Sequence, residues 1–141
     1  MDKIIQSKAL VFGLPIFIFI ADVVLIVFNR ELITVTSPWM HLTGGFSMGL
    51  IFLYFWGEDL RLSGAGKNFL FSVIMTAAFA VLIGVLWEFS EFFFSVLFPE
   101  FPTQPSVADT MADLFLDFLG GLLLASIYCK SKLYKEPSFN K

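Results

Sequence analysis

The stretch VADTMADLFLDFLGGLLLASIYC, residues 107–129, indicates the fold class of this chain. It is apolar and long enough to cross a membrane as a helix, which takes about 20 residues. Asp109, Asp113 and Asp117 nevertheless recur in it at every fourth position, within an arc of about 80° on one helical face. Because a carboxylate in hydrocarbon is costly, we expect this face to lie inside a helical bundle.

The composition places the whole chain in the same class. Of its 141 residues, 57% are hydrophobic and 15% are charged, and 19 are phenylalanine. A water-soluble domain of this size has too little interior to bury so many large apolar side chains. We therefore predict an all-α, polytopic integral membrane protein that has the lipid bilayer as its partner. No basic patch interleaved with aromatic residues supports nucleic-acid binding, and the single cysteine, Cys129, excludes an intramolecular disulfide.

Four apolar stretches meet the length requirement for a spanning helix, within one domain of 141 residues. They run from about 9 to 28, 39 to 56, 68 to 98 and 107 to 129. The links at 29–38, 57–67 and 99–105 are short and contain glycine or proline. The pattern predicts a four-transmembrane-helix bundle, followed by a cytoplasmic tail at 130–141.

The basic residues predict the orientation of this bundle. Four spans place both termini and the link at 57–67 on one side of the membrane. Of the 9 Lys and Arg residues, Arg30 alone falls on the other side. Since basic residues concentrate on the cytoplasmic side, we expect both termini to be cytoplasmic and the protein to be a multi-pass protein of the bacterial inner membrane.

Polar residues within the spans lie on matching helical stripes. On the third span, Gly84, Glu88, Glu91 and Ser95 follow a single stripe. On the second, His41 shares a face with small residues, which allow neighbouring backbones to approach. In the predicted orientation these groups and the acids of the fourth span are all in the outer half. The sequence therefore predicts a polar pocket that opens to the outside and is lined by spans two, three and four.

Several carboxylates close together repel one another, so either some of them carry protons or a cation lies among them. Histidine with carboxylates is a ligand set for a divalent ion such as Mg, Mn, Fe or Zn. The predicted metal ligands are His41, Glu88, Asp113 and Asp117, with Glu91 as the catalytic base and Asp22 and Asp109 as secondary candidates. Three of these residues have a structural alternative: His41 as an interfacial histidine, Asp22 as a partner of a neighbouring helix, and Asp109 as a helix N-cap.

Three short motifs resemble a known family. They are HLTGGFSMG at 41–49, GVLWEFSEFFF at 84–94 and ADTMADLFLDFLGG at 108–121. Together they resemble the YjdF-like family of small bacterial inner-membrane proteins, and the last two are more distantly similar to VanZ-like proteins. The matching positions are His41, Gly44, Trp87, Glu88, Glu91, Asp109, Thr110, Asp113 and Gly120. The resemblance implies an inner-membrane location, and its VanZ-like part implies a link to resistance against glycopeptides such as teicoplanin.

Three functions compete at this point. The first is a membrane enzyme or binding protein whose pocket holds a divalent metal and takes a lipid or envelope-related small molecule. The second is a small proton- or cation-coupled transporter, working as a homo-oligomer because four helices make a thin pathway. The third is a non-catalytic scaffold whose buried acids are satisfied by hydrogen bonds. Polar residues do not continue into the inner halves of spans three and four, which favours a pocket over a channel.

Overall fold

The computed structural model describes residues 5–28, 30–62, 69–100 and 102–133. Over these residues the chain contains four long α-helices and no β-strand, so the prediction of an all-α protein is confirmed for this part of the chain. The helices are α1 (Lys8–Phe28), α2 (Arg30–Leu62), α3 (Phe69–Leu97) and α4 (Val107–Leu133).

Three of the described helices are long and apolar enough to cross a membrane. These segments are Lys8–Leu25 within α1, Phe69–Leu97 of α3 and Val107–Ser131 within α4. Many of their large apolar side chains point outward, and Phe17, for example, is 68% exposed. Helix α2 is 33 residues long, but it is not among the helices apolar enough to cross a membrane. It contains the predicted span 39–56, whose mean hydropathy is lowered by His41 and several glycines.

The predicted link at 29–38 is wrong for most of its length, because α2 begins at Arg30 and continues through Pro38. Proline removes one backbone donor, but its fixed φ is compatible with a helix. Hydroxyl groups on both sides of this proline bond back to the helix. Thr36 donates to the Leu32 carbonyl at 2.9 Å, and Thr43 donates to the Trp39 carbonyl at 2.7 Å.

Two further boundaries differ from the predicted ones. Helix α2 extends to Leu62 and therefore occupies the first part of the predicted link at 57–67. Helix α4 extends to Leu133, so residues 130–133 are helical rather than part of a tail. The remainder of that link and of the tail, at 63–68 and 134–141, lies outside the described residues.

Helix α4 packs extensively against both α2 and α3, and α1 packs against α2. Helix α3 contributes a buried stripe of mostly small residues to this contact: Ser72, Val73, Thr76, Ala77, Ala80, Gly84 and Glu88. The closest approach joins α2 and α4, where a Cβ atom at Gly45 would lie 2.6 Å from the Cα atom of Asp117. Glycine at this crossing therefore permits a backbone contact that any larger residue would push apart.

The interior of the bundle is divided along its length. One buried apolar cluster contains Leu50, Leu53 and Leu124, and a second contains Val73 and Ala125. Both clusters lie toward the end of the bundle where α2 and α4 finish and α3 begins. The buried ionisable residues lie toward the other end, so the bundle has one apolar half and one polar half.

Replacing Gly45 with alanine should destabilise the bundle, because the new methyl group would collide with the α4 backbone. Overpacking of this kind costs about 1–3 kcal/mol, so the thermal unfolding temperature of the purified protein should fall by several degrees. The matched control is Gly13→Ala, since a Cβ atom at Gly13 meets nothing within 4 Å. Equal unfolding temperatures for the two variants would contradict the close helix crossing.

Candidate functional site

His41 lies at the centre of the polar half of the bundle. Its Nδ1 atom is 3.2 Å from Asp117 Oδ2, and its Nε2 atom is 3.6 Å from Asp113 Oδ2 and 4.0 Å from Glu88 Oε1. All four side chains are buried, with relative exposures between 4% and 9%. The structure thus brings the four predicted metal ligands, from α2, α3 and α4, together around one imidazole.

The two ring nitrogens of His41 face different partners. On the Nε2 side, one ligand atom each from His41, Glu88 and Asp113 lie within 4.8 Å of one another, and all three residues are buried. On the Nδ1 side, Asp117 is within hydrogen-bonding distance. Asp117 therefore occupies the position of a carboxylate that orients a histidine from behind, rather than a place in the three-residue group.

Gly84 makes room for the Asp117 carboxylate. A Cβ atom at Gly84 would lie 2.9 Å from the Cγ atom of Asp117 and would collide with its Oδ2 atom. Because Glu88 is one helical turn further along α3, the same face that accepts Asp117 also presents Glu88 to His41. The stripe predicted from residues 84, 88, 91 and 95 is thus the wall of the site.

The two carboxylate oxygens of Glu88 differ in their hydrogen bonding. Oε2 accepts a hydrogen bond from Gln104 Nε2 at 3.3 Å, and the same amide nitrogen donates to Thr110 Oγ1 at 2.8 Å. Oε1 is buried and has no hydrogen-bond partner. His41 Nε2 lies 4.0 Å from Oε1, which is beyond hydrogen-bonding distance, so the cost of burying this oxygen is only partly offset.

The loop between α3 and α4 closes over this end of the site. Ser95 Oγ accepts hydrogen bonds from the backbone N–H groups of Thr103 at 2.9 Å and Gln104 at 3.2 Å. Thr103 Oγ1 in turn donates to the Glu91 carbonyl at 3.0 Å. Sequence reasoning missed Thr103 and Gln104 because it treated 99–105 only as a link. Their position as a polar pair between two prolines, Pro102 and Pro105, was the available signal.

Glu91, the predicted catalytic base, lies beside the three-residue group but not in it. It is half-buried, and its Oε1 atom accepts a hydrogen bond from the Trp87 indole N–H at 3.0 Å. That donor comes from the preceding turn of α3 and fixes the direction of the carboxylate. Glu91 is thus held in place at the edge of the site.

The two secondary candidates have different environments. Asp109 is half-buried in the first turn of α4, where an acid is favoured by the helix dipole. The capping group is Ser106, whose hydroxyl oxygen accepts the Asp109 N–H at 3.1 Å. The N-cap of α4 is therefore Ser106, three residues before Asp109, and the N-cap alternative for Asp109 is wrong. Asp22 is buried, and its Oδ2 atom has no hydrogen-bond partner.

The separations around Nε2 are suited to a divalent cation. Ligand atoms about 2.1 Å from a metal ion are roughly 3–3.5 Å from one another, which is slightly closer than the 3.6 Å and 4.0 Å found here. All three ligand atoms lie within 4.8 Å of one another, so binding an ion would require side-chain rotations that bring them closer by up to about 1 Å. Without a metal, the same atoms could be held by an imidazolium that pairs with the surrounding carboxylates.

Comparison with known proteins yields a family and a partial relative. The family described as "Predicted membrane protein (DUF2238)" matches residues 9–132. A Thermotoga maritima protein described as an uncharacterized protein is 39% identical over 61 residues, which make up 43% of this chain and 32% of that protein. The alignment thus spans about a third of that relative's length. No solved structure matches the chain significantly.

Replacing Ser95 with alanine should loosen the loop that closes the site, because two backbone N–H groups lose their acceptor. Loss of such partners costs about 1–3 kcal/mol, so amide hydrogen exchange at Thr103 and Gln104 should accelerate roughly tenfold or more. Ser90→Ala is the matched control, since its hydroxyl donates to the Trp87 carbonyl within α3. Unchanged exchange in Ser95→Ala would show that Ser95 does not hold this loop.

Proposed function

The chain belongs to the DUF2238 family of predicted membrane proteins, and we propose that it binds one divalent metal ion at His41, Glu88 and Asp113. We further propose that this site acts on a lipid or envelope-related molecule. The observation that carries the proposal is the buried Glu88 Oε1 atom, which has no hydrogen-bond partner and lies 4.0 Å from His41 Nε2. A cation between these atoms would remove the cost of burying the carboxylate.

The donor set narrows the choice of metal. The candidate ions for a histidine with carboxylates are Mg, Mn, Fe and Zn, and an imidazole nitrogen favours Zn or Fe over Mg. Three protein ligands leave further coordination positions open, as in catalytic rather than structural sites. Gln104 supports the site by donating to the other oxygen of Glu88, which directs Oε1 toward the imidazole.

We assign Asp117 a positioning role. Its contact with Nδ1 holds the proton on that nitrogen and leaves the lone pair of Nε2 available to a metal. This assignment differs from the expectation that Asp117 is itself a ligand. Glu91, oriented by the Trp87 indole, remains the proposed general base. A divalent ion bound beside it would supply Lewis acidity to a phosphoryl or carbonyl oxygen of the substrate.

We propose that α2 is a fourth membrane span and that both termini are cytoplasmic. Helix α2 packs against each of the other three helices, and if it spans the membrane, every Lys and Arg except Arg30 falls on one side, as expected for the cytoplasmic side. In this arrangement the metal site lies in the outer half of the inner membrane. The residues that carry the resemblance to YjdF-like proteins include His41, Glu88 and Asp113, which supports a shared site in that family.

Transport has less support than a pocket. A pathway for protons or cations needs polar groups along its whole length. Among the described residues, the half of the bundle beyond the site contains the apolar clusters around Leu50, Leu124 and Val73 and no buried ionisable side chain other than the Cys129 thiol, its buried polar groups being hydroxyls such as Ser72 and Thr76. The ionisable residues therefore form a site in one half of the bundle rather than a pathway through it.

The purified protein should contain about one equivalent of divalent metal by elemental analysis. Glu88→Gln and Asp113→Asn should lose it, because each removes a charged ligand from a three-residue group. Asp117→Asn should retain the site but weaken metal affinity about 10- to 100-fold, the usual effect of losing a carboxylate behind a histidine ligand. The matched control Glu58→Gln removes an exposed acid of α2 and should bind metal like the wild type.

A chelator should also lower the thermal unfolding temperature of the wild type, since a ligand that binds the folded state stabilises it. Absence of metal together with no effect of chelator would favour the scaffold alternative, in which an imidazolium satisfies the acids. Full metal content in Asp113→Asn would show that the ion is bound elsewhere.

The orientation can be tested with single cysteines in a Cys129→Ala background, since Cys129 is the chain's one cysteine. Glu100→Cys, in the exposed loop after α3, should react with a membrane-impermeant maleimide in intact spheroplasts. Glu58→Cys, at an exposed position near the end of α2, should react only after permeabilisation. Labelling of both in intact spheroplasts would exclude α2 as a span with a cytoplasmic C-terminal end.

A further inference from the structure

A cavity of about 200 Å³ lies between α1, α2 and α3, next to the metal site. Its apolar walls include Ile18, Phe19, Ile83 and Trp87, and its polar lining includes Asp22 and His41. Small-molecule pockets usually measure about 300–1,000 Å³. This cavity therefore has room for a small headgroup and the first few carbons attached to it, rather than for a whole lipid.

Asp22 is the ionisable residue of this cavity that has no role in the proposed metal site. Its side chain is 9% exposed, and its Oδ2 atom is buried without a hydrogen-bond partner. His41 also lines the cavity, but its ring nitrogens face Asp117 on one side and Glu88 and Asp113 on the other. A carboxylate in this position is best compensated by a cation that comes from outside the chain.

On the side of the cavity between α1 and α3, the two helices are not closely packed, and aromatic side chains separate the cavity from the surroundings. Helix α1 packs mainly against α2, and few of the residues in its apolar segment are buried. Across the cavity, the rings of Phe19 on α1 and Trp87 on α3 meet edge to face with their centroids 5.8 Å apart. Phe19 is 54% exposed, so rotation of one aromatic side chain could open a path between the cavity and the surrounding hydrocarbon.

We propose that this cavity binds a single-chain amphiphile with a primary amine headgroup, which enters from the membrane between α1 and α3. The ammonium group lies against Asp22, and the alkyl chain passes between Phe19 and Trp87. The proposal rests on and deepens the proposed function, because the cavity is lined by His41 of the metal site and by Asp117, which positions that histidine, and the headgroup would lie beside the site. An amine is favoured over an alcohol or an acid because it alone compensates the charge of Asp22.

Quenching of Trp87 fluorescence tests this binding in nanodiscs. Trp39→Phe and Trp56→Phe leave Trp87, which lines the cavity, as the one tryptophan of the chain. The probes are dodecylamine, dodecanol and dodecanoate, each brominated at the same carbon close to the headgroup. Dodecylamine should quench saturably and bind at least about tenfold more tightly than dodecanol, as expected for a hydrogen bond to a charged partner. Dodecanoate should show no saturable quenching.

Two variants test separately the role of the Asp22 charge and the role of the cavity volume. Asp22→Asn should abolish the preference for the amine over the alcohol. Gly44→Leu should remove saturable quenching, because Gly44 lines the cavity and a Cβ atom there meets only Asp117 Oδ1, at 3.8 Å. Gly13→Leu adds the same side chain where nothing lies within 4 Å and should bind like the parent protein.

Equal binding of amine and alcohol by the parent protein, or saturable quenching that persists in Gly44→Leu, would overturn the proposal. Elemental analysis of the same samples keeps this result separate from the metal site. Amine binding by a metal-free protein would support the amphiphile proposal and contradict the metal proposal. A metal-loaded protein that does not prefer the amine would support the metal proposal and contradict the amphiphile proposal.

Discussion

The site is governed by one electrostatic constraint: four buried acids share a single histidine. Asp22, Glu88, Asp113 and Asp117 are each about nine-tenths buried or more, and His41 is the one histidine of the chain. An imidazolium can offset only one negative charge, so the cluster requires protons or additional cations. The two oxygens left without partners, on Glu88 and Asp22, mark two separate places where positive charge is needed. One faces the imidazole, and the other belongs to a residue of the neighbouring cavity.

This concentration of acids depends on close helix packing. Asp117 contacts His41 while the glycines at 45 and 84 remove the side chains that would otherwise displace it. The four side chains are at most 9% exposed, and low exposure to solvent strengthens the charge interactions among them. The small residues that build the site also reduce the hydropathy of α2. The helix that carries the histidine is therefore the one whose composition least resembles a membrane span, although it packs against all three others.

Helical periodicity was sufficient to predict which acids meet. Glu88 and Asp113 lie on faces that must be buried because lipid is the alternative, and that reasoning needs no knowledge of loops. It could not predict the start of α2, since Pro38 reads as a breaker but is accommodated within the helix. It also could not assign Asp117 to Nδ1, because the choice of ring nitrogen depends on side-chain rotation. Gln104 was missed because its contact with Glu88 crosses 16 residues and follows no repeat.

The imidazole of His41 belongs both to the proposed metal site and to the lining of the cavity. A metal bound at Nε2 would compensate Glu88 and Asp113 but leave Asp22 without a counter-charge. A cationic headgroup at Asp22 would compensate that acid but leave Glu88 Oε1 without a partner. Each ligand thus leaves the other acid to be satisfied, so both can occupy the bundle together without competing for charge. Two cations close together repel each other, and the carboxylate of Asp117, which also lines the cavity, would reduce that repulsion if both proposed ligands were bound.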